Sequence, residues 1–366
     1  MRVRDALLLL AVLAVVAVAA YWILRGRPEG GECVVRVYTY ESLLKWGADP
    51  NATLQAVYGG FEERYGCRVE VREFEDARSA LLALIEEGES PRADVIIGVD
   101  NSLIEEAIEA GVLEPYEPPN LEDVPDWLVE SLDPTLHAVP YDYGLIALVY
   151  DSERIPPERV EGLTFDELLD LANLTVAEDP TLSSTGLGFL MWQVAYYRAA
   201  GEEGAWVDWW RDAVSRGLLV AGSWGDAYDI FLDEAQGRPV VVSYGTDPAY
   251  SYYFYNETRY RAALIELNGE ETAWLQVEGI GLVKGAPNPE AARKFIEWFL
   301  SPEVQSLIPL NNWMYPASSR VDLPDVFERF AIDPTEARLM NSELSPGEIG
   351  ERLSEWLDSW RRAVGG

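Results

Sequence analysis

The chain alternates short apolar runs with longer segments in which apolar residues recur every three or four positions. Runs at residues 34–38, 69–74 and 93–98 are rich in β-branched side chains, which favours strands covered on both faces. Helical spacing occupies residues 51–65, where Asn51 is the expected N-cap and Gly66 the stop, and residues 77–87. Strands that alternate with helices in this way predict a parallel α/β sheet.

The rest of the chain continues the α/β pattern after an irregular stretch. Residues 115–134 are rich in proline and acids and show no sustained period, so a loop is predicted there. Strands are then expected at residues 145–150, 218–220, 240–242, 259–268 and 272–283, and helices at 165–171, 187–199, 205–216, 290–300 and 345–364. A chain of 366 residues is long enough for two such domains.

An uninterrupted apolar stretch precedes this pattern at residues 6–24, with arginines on both sides of it. Such a stretch is long enough to cross a bilayer, at about 1.5 Å per residue. It is longer than the usual apolar region of a secretory signal, so we favour an uncleaved membrane anchor, while small residues near its end leave a cleavable signal open. In both cases residues 1–32 form a signal or anchor with a spacer. The remainder then lies outside the cytoplasm, at the cell surface or in the periplasm.

Composition narrows the choice of partners and chemistry. The net charge of −35, from 63 acidic and 28 basic residues, disfavours nucleic acid and anionic lipid surfaces. His137 is the single histidine, and no spacing typical of a metal site or of a Ser–His or Cys–His catalytic pair accompanies it. The sequence therefore indicates a protein without a metal, a cofactor or a catalytic set.

The two cysteines stand at the starts of two predicted strands. Cys33 opens the first strand and Cys67 the second. If these strands are parallel neighbours, their starting ends lie side by side, and a disulfide is reasonable in an exported protein. Two unpaired buried thiols would give the same pattern, so the sequence leaves both possibilities open.

Polar and aromatic side chains gather where the predicted strands end. Tyr244, Asp247 and Tyr250 follow the strand at 240–242, and Asp100 follows the strand at 93–98. Ligands of open α/β sheets bind beyond the carboxyl ends of strands, and rings beside a carboxylate suit an aromatic or cationic ligand. The structural alternatives are a tyrosine-rich turn over the core and a helix cap at Asp100.

Residues 183–186, Ser-Ser-Thr-Gly, stand where the helix predicted at 187–199 begins. The free backbone N–H groups and the dipole of such a helix start bind phosphate or another anion. The alternative is a simple N-cap by Ser184 or Thr185. The segment lacks the glycine spacing and the lysine of a P-loop.

Several of these segments occur in one order along the chain: VYTYES at 37–42, ADVIIGVDN at 93–101, VPYDYG at 139–144, EDP at 178–180, GLG at 186–188, SY at 243–244, PAY at 248–250 and NWMYP at 312–316. Together with Trp224, Ala227 and Tyr228 they resemble the substrate-binding proteins of ABC importers, in the type 2 periplasmic-binding-protein superfamily. More narrowly, they resemble its thiamine-binding members. The resemblance covers most of residues 33–317.

This resemblance implies an α/β protein of two lobes that close around one ligand molecule. The first lobe would comprise residues 33–144 and 280–366 and the second residues 145–279, with hinge strands crossing near 145–150 and 275–282. The ligand would be thiamine, thiamine monophosphate or thiamine diphosphate, captured without a cofactor. The implied partners are an ABC permease and its ATPase, and a monomer is expected.

The resemblance also implies which side chains hold the ligand. Ring contacts are expected from Tyr40, Trp224, Tyr250 and Trp313, and a contact to polar or charged groups of the ligand from Asp100. Tyr244 and Ser183, with Ser184 as a weaker contact, would face the hydroxyethyl or phosphate end. The family can carry proline before the glycine that aligns with Gly186, where this chain has Thr185, so the anion contacts are the least defined.

Two other readings stay open at this stage. A ferric-ion or polyamine binder of the same class would use phenolates or acids, and Tyr252 and Tyr253 form an adjacent tyrosine pair. A secreted enzyme that degrades thiamine would need an activated nucleophile. Cys33 and Cys67 are poorly placed for that role, because strand starts lie away from the expected cleft.

Overall fold

A mixed β-sheet forms the frame of the protein, which a computed structural model describes over residues 33–365. Thirteen strands belong to it in this range. They are β1 Val34–Tyr40, β2 Arg68–Phe74, β3 Val95–Asp100, β4 Leu113–Glu114, β5 Ala138–Asp151, β6 Thr175–Glu178, β7 Leu219–Ala221, β8 Val240–Tyr244, β9 Tyr260–Ala263, β10 Ile265–Leu267, β11 Glu270–Val283, β12 Tyr315–Pro316 and β13 Arg338–Leu339.

Helices cover both faces of this sheet. They are α1 Pro50–Leu54, α2 Gly60–Tyr65, α3 Ala77–Glu87, α4 Ile104–Glu109, α5 Asp126–Leu132, α6 Phe165–Leu168, α7 Ser184–Ala199, α8 Ala205–Ser215, α9 Trp224–Leu232, α10 Asp247–Tyr255, α11 Pro289–Phe299, α12 Pro302–Gln305, α13 Ile308–Asn311, α14 Asp325–Phe330 and α15 Pro346–Val364. A π-helical turn at Gln55–Gly59 joins α1 to α2. No helix within residues 33–365 combines the length and apolar character that a bilayer crossing requires.

Local sequence signals located most of these elements correctly. Helix α3 has the predicted bounds, and Gly66 ends α2 in the left-handed conformation, at a φ of 66°. Two local predictions were wrong. Asp49, rather than Asn51, caps α1 by accepting a hydrogen bond from the backbone of Ala52. The stretch 115–134 is not all loop, because helix α5 forms within it. This helix buries only Leu128 and Leu132, and two apolar positions are too few to give a helical period in the sequence.

The strand order is β2-β1-β3-β11-β5-β8-β6-β7. Strands β1, β2 and β3 pair in parallel at one side, and β6, β7 and β8 do so at the other. Between these groups, β5 and β11 pair antiparallel over most of their length. The amino-terminal half of β11 lies with the second group and its carboxyl-terminal half pairs with β3, so these two strands run from one half of the molecule to the other.

The C-terminal segment contacts both halves of the molecule. Strand β13 pairs with β11 at Thr272 and Ala273. In α15, the Trp360 ring meets Trp210 of α8 edge to face, with centroids 5.6 Å apart. The same helix lies against α4, where Gly350 leaves room for the Glu105 side chain. The segment from β13 to the end of α15 therefore packs against both halves of the molecule.

The starts of β1 and β2 are joined by a disulfide between Cys33 and Cys67. Val34 pairs with Arg68 in the parallel register, which sets the two cysteines side by side. The membrane-anchor prediction for residues 6–24 concerns a segment outside the described residues.

Candidate functional site

A cleft opens between the two halves of the sheet. Its lining comes largely from segments that follow the carboxyl ends of the parallel strands β1, β2, β6, β7 and β8. The lining residues are Tyr40, Ser42, Trp46, Asp76, Ala77, Ser184, Thr185, Trp224, Tyr228, Tyr244, Asp247, Tyr250, Glu278, Asn312, Trp313 and Met314.

Aromatic rings form one wall of this cleft. Trp224 and Tyr228, one turn apart on α9, stack with centroids 5.2 Å apart. Trp46, from the other half of the molecule, meets Trp224 edge to face at 5.1 Å and Tyr250 at 5.9 Å. Because the half-buried Trp46 ring follows β1 and its ring partners follow β7 and β8, this aromatic cluster bridges the two halves.

Trp313 completes the aromatic wall and has an unusual backbone. Its ring meets Tyr250 edge to face at 5.3 Å, and its Nε1 donates to the carbonyl of Trp46 at 3.0 Å. The residue lies in the left-handed region, at a φ of 56°. A bulky side chain there costs about 1–3 kcal/mol of backbone strain, and such strain tends to occur at functional sites.

The floor of the cleft is polar. Tyr40 Oη donates to Glu278 Oε2 at 2.8 Å, and the Tyr141 hydroxyl donates to the same oxygen. Gly98 makes room for this arrangement, since a Cβ there would lie 2.7 Å from the Tyr40 ring. Burial raises the pKa of Tyr40 well above its ordinary value, with the nearby Glu278 charge adding to the shift. The phenol therefore stays a hydrogen-bond donor to the carboxylate.

Two carboxyl groups face each other beneath this floor. Asp142 and Glu278 are cross-strand neighbours on β5 and β11. Asn312 Nδ2 donates to Asp142 Oδ2 at 2.7 Å, and Gln276 Nε2 donates to Glu278 Oε1 at 3.0 Å. Burial, followed by the Glu278 charge, raises the pKa of Asp142 well above its ordinary value. Like charges this close resist joint ionisation, so the pair holds a proton more readily than either acid would alone.

A hydrogen-bonded chain fixes the Trp224 indole. Trp224 Nε1 donates to Ser243 Oγ at 2.8 Å, and the Ser243 hydroxyl donates to Asp247 Oδ2. Asp247 is the first residue of α10 and is buried. Burial raises the pKa of Asp247 to about 7, against the hydrogen bond from Ser243, which lowers it. Asp247 therefore changes charge in the neutral pH range.

The start of α7 also lines the cleft. Ser183 is its N-cap and accepts a hydrogen bond from the Gly186 backbone N–H at 3.3 Å. The Ser184 backbone N–H donates across the cleft to Asp76 Oδ1 at 3.0 Å. Gly186 is required here, because a Cβ would lie 2.7 Å from the carbonyl oxygen of Glu178. The Tyr244 hydroxyl is 3.0 Å from Thr185 Oγ1, which links the ends of β8 and α7.

Most of the side chains that the sequence singled out line this one cleft. They are Tyr40, Ser184, Trp224, Tyr244, Tyr250 and Trp313. The structure does not bring Asp100 and Ser183 to the lining. Asp100 is fully buried and accepts from the backbone N–H groups of Ser102 and Leu103, at 2.7 and 3.1 Å. Its side chain turns back to cap the chain after β3, and Ser183 is likewise used as a helix cap.

Sequence reasoning missed other lining residues, chiefly Trp46, Asp76 and Glu278. Trp46 lies just after the VYTYES segment, so its position beside this motif could have identified it as a lining residue. The sequence around Asp76 indicates only a helix cap. Asp76 does cap α3, by accepting a hydrogen bond from the Arg78 backbone N–H at 3.1 Å. Glu278 is an acid inside an apolar strand, which is a signal of a buried functional group.

The adjacent tyrosines Tyr252 and Tyr253 do not form a pair of neighbouring phenols. The Tyr252 ring stacks on Phe330 at 4.1 Å, whereas Tyr253 is half exposed and meets Trp313 at 5.6 Å. Neither residue lines the cleft.

Comparison with known proteins shows to which family the chain belongs. The model of the family described as "Bacterial extracellular solute-binding protein" matches residues 46–306. The chain belongs to this family. The resemblance inferred from the motifs is thereby confirmed, and so is the expectation of a binding protein rather than an enzyme.

Several proteins to which the chain is similar are named for thiamine binding. The thiamine-binding periplasmic protein of Escherichia coli (strain K12) is 32% identical over 342 residues, which cover 92% of this chain and 95% of the relative. The thiamine-binding periplasmic protein of Brucella abortus biovar 1 is 33% identical over 339 residues, covering 90% and 91%. The solved structure of a periplasmic thiamin binding protein superposes with a TM-score of 0.76 at 30% identity, covering 92% of this chain and 98% of that one.

These matches establish the fold and the general role. The chain has the α/β periplasmic-binding-protein fold and is the extracytoplasmic solute-binding protein of an ABC transporter. Its partners are accordingly a membrane permease and a small solute.

Proposed function

We propose that this solute-binding protein captures thiamine, or a phosphate ester of thiamine, in the cleft between its two halves. It then delivers the ligand to an ABC permease driven by its ATPase. The observation that carries the proposal is the cleft itself, where Trp46, Trp224, Tyr250 and Trp313 surround a space that also exposes carboxyl groups. The relatives named for thiamine binding support the same ligand.

The chemistry of thiamine suits this wall. The thiazolium ring is a permanent cation, and a contact between a cation and an aromatic face contributes about 0.5–2 kcal/mol, depending on desolvation. Several such contacts, together with a charge interaction, are enough for a submicromolar dissociation constant, since 1 μM corresponds to about −8.2 kcal/mol. Among the described residues that line the cleft none is lysine or arginine, so no basic side chain opposes the cation.

We assign roles to the lining as follows. Tyr40, Trp224, Tyr250 and Trp313 contact the rings of the ligand, and Trp46 joins them. Tyr244 and Ser184 face the hydroxyethyl end, with Ser183 holding the helix start in place. Asp100 stays buried behind the lining, and Glu278, which lines the cleft, makes the contact to polar or charged groups of the ligand that the resemblance assigned to Asp100.

The two lobes of this proposal are residues 33–144 with 280–366, and residues 145–279. Strands β5 and β11 cross between them and serve as the hinge. Closure uses the binding energy, because a ligand shifts a conformational equilibrium only by its different affinity for the two states. Trp46 from the first lobe, resting on Trp224 and Tyr250 of the second, closes the cleft over the ligand.

The apolar stretch at residues 6–24 anchors the protein, a monomer, beside its permease. Expression of the full chain and of a fragment starting near Gly30 tests this anchor. Only the full chain should sediment with membranes and need detergent for release. Sedimentation of both forms, or of neither, would contradict the anchor.

Calorimetric titration with thiamine tests the proposed function. The fragment starting near Gly30 should bind thiamine one to one with a submicromolar dissociation constant. Absence of heat with thiamine and both of its phosphates, from folded and ligand-free protein, would overturn the proposal.

A polyamine is the second candidate ligand, because the cleft combines aromatic rings with the acids Asp76, Asp247 and Glu278. Spermidine titrated under the same conditions distinguishes the two. Binding of spermidine tighter than thiamine would reassign the ligand. The adjacent tyrosines give no support for a ferric ion, since the Tyr252 phenol ring is stacked on Phe330 outside the cleft.

A further inference from the structure

The tripeptide pattern Asn-x-Thr occurs three times in the chain, at Asn51, Asn173 and Asn256. In an exported protein this pattern is the acceptor for N-linked glycosylation, and this chain is extracytoplasmic. The pattern requires two side chains, an asparagine amide that takes the sugar and a hydroxyl two residues later. A transferase must therefore reach both ends of the tripeptide, and the fold decides where it has access.

In two of the three tripeptides the threonine serves the fold. Thr53 is buried, and its hydroxyl donates to Asn311 Oδ1 at 2.7 Å. Thr175 is the first residue of β6, is 1% exposed and donates to the carbonyl of Leu171 at 2.9 Å. A transferase would reach these hydroxyls only after the surrounding structure had opened. The need for these packing and hydrogen-bond contacts accounts for both threonines.

The third tripeptide is accessible at both ends. Asn256, Glu257 and Thr258 are all exposed and lie in irregular structure after the end of α10. Asn256 ends that helix in the left-handed region, at a φ of 52°, which asparagine adopts more readily than most side chains. This cap accounts for the asparagine but not for Thr258, whose hydroxyl has no hydrogen bond to any residue in the range 33–365.

Two exposed aromatic rings stand next to this tripeptide. Tyr253 is 49% exposed, and Tyr255, at 64%, is the most exposed large hydrophobic side chain of the described residues. Exposed apolar surface on neighbouring residues commonly marks a place where something else makes contact. A sugar attached to Asn256 would have its C–H groups beside these rings and its hydroxyls toward water. It would thus cover the apolar surface and keep the protein soluble.

We propose that Asn256 is the N-glycosylation site of this protein and that Asn51 and Asn173 stay unmodified. The donor is an oligosaccharide carried on a lipid pyrophosphate, and a membrane transferase brings the two together. Nδ2 of Asn256 attacks the anomeric carbon of the first sugar. A carbon–nitrogen bond forms as the bond from that carbon to the phosphate oxygen breaks. The lipid pyrophosphate leaves with the electron pair, and the amide proton passes to a base of the transferase.

A glycan at this position leaves the ligand cleft open. Asn256 lines neither the cleft nor the cavity that adjoins it at Trp46 and Trp224. Its backbone N–H is held by the Tyr252 carbonyl at 2.9 Å, at the end of α10 away from Tyr250. The inference is therefore independent of the proposed ligand. Asn256→Gln should bind thiamine with the affinity of the glycosylated protein.

Glycopeptide mass spectrometry of the full chain, purified from its own cells, tests the inference. Asn256 should carry an oligosaccharide, and Asn51 and Asn173 should not. Asn268 is the internal control, because it is exposed and left-handed at a φ of 56° but has Glu270 where the pattern needs a hydroxyl. Unmodified Asn256 would overturn the proposal. Equal occupancy at all three tripeptides would overturn selection by the fold.

Reaction of the folded, unglycosylated chain with a purified oligosaccharyltransferase and its lipid-linked oligosaccharide tests that selection directly. Asn256 should react at least about tenfold faster than Asn51 and Asn173, because those sites must first open locally. Synthetic peptides that span the three tripeptides are the matched control and should react at similar rates. Similar rates for the three asparagines in the folded chain would contradict the inference.

Variants of Thr258 separate an acceptor from a simple helix cap. Thr258→Val keeps Asn256 and its cap but removes the hydroxyl, so it should abolish the modification, whereas Thr258→Ser should retain it. Both variants should melt at the temperature of the unmodified chain, since this side chain is exposed. Continued glycosylation of Thr258→Val would overturn recognition of this tripeptide.

Discussion

The titration of Asp247 gives a sharp test of how the cleft binds a cation. Burial raises the pKa of this carboxyl to about 7, so the empty cleft holds it partly protonated at neutral pH. The thiazolium charge does not titrate. A bound cation favours the ionised carboxylate and lowers its pKa, so binding should release a proton and strengthen as the pH rises.

The magnitude follows from the ionised fraction. With a pKa of about 7, roughly nine-tenths of the free protein carries the ionised form at pH 8 and roughly one-tenth at pH 6. If the ligand binds only the ionised form, the apparent affinity falls by the same ratio, about tenfold. Near pH 7, about half a proton should be released for each ligand bound.

Isothermal titration in buffers of different ionisation enthalpy measures both quantities. Asp247→Asn should bind thiamine more weakly at pH 8 and lose most of the dependence on pH. Asp76 and Glu278 also line the cleft, and burial raises the pKa of each, so any residual dependence in the variant belongs to them. Superimposable pH profiles for the variant and the unmodified protein would refute the assignment to Asp247.

Stability provides an independent readout with a defined sign. Because the folded-state pKa of Asp247 lies above its ordinary value, the folded protein binds more protons than the unfolded chain between about pH 4 and pH 7. Ionisation of Asp247 therefore destabilises the fold as the pH rises through this range. Asp247→Asn removes that penalty and should gain thermal stability relative to the unmodified protein at pH 8 more than at pH 5.

Two further predictions concern the aromatic wall and the disulfide. Trp313→Ala and Tyr250→Ala should each weaken thiamine binding by about tenfold or more in calorimetry, since each removes a ring that lines the cleft. Trp127→Ala is their control, because this exposed ring lies outside the lining; equal losses in all three would argue against the assignment. Replacing Cys33 and Cys67 by serine should destabilise the fold by about 3–4 kcal/mol in denaturant unfolding, given the separation of 34 residues, with thiamine affinity unchanged. A free thiol in the non-reduced protein, seen by mass spectrometry, would contradict the disulfide.

The local pattern of the sequence determined the strands and helices, because their signals lie within a few residues of each other. Helix α3 begins after a capping aspartate and ends before a glycine, and both signals are local. Strand β8 ends at Tyr244 and α10 begins three residues later at Asp247, so sequence order alone placed these residues at a strand end. The motifs then supplied Trp313 and Tyr40, since each occurs within a segment shared with the family.

Only the tertiary structure decided which charges face the ligand. Asp100 and Asp76 both follow a strand, and both act as local caps in the sequence pattern. Asp100 accepts hydrogen bonds from the backbone of its own turn, whereas Asp76 accepts one from the start of α7, 108 residues away along the chain. That contact depends on how the two halves meet, which β5 and β11 set by crossing between them. A strand pattern specifies where a side chain stands on its own element, but the partner across a cleft follows from the packing of distant elements.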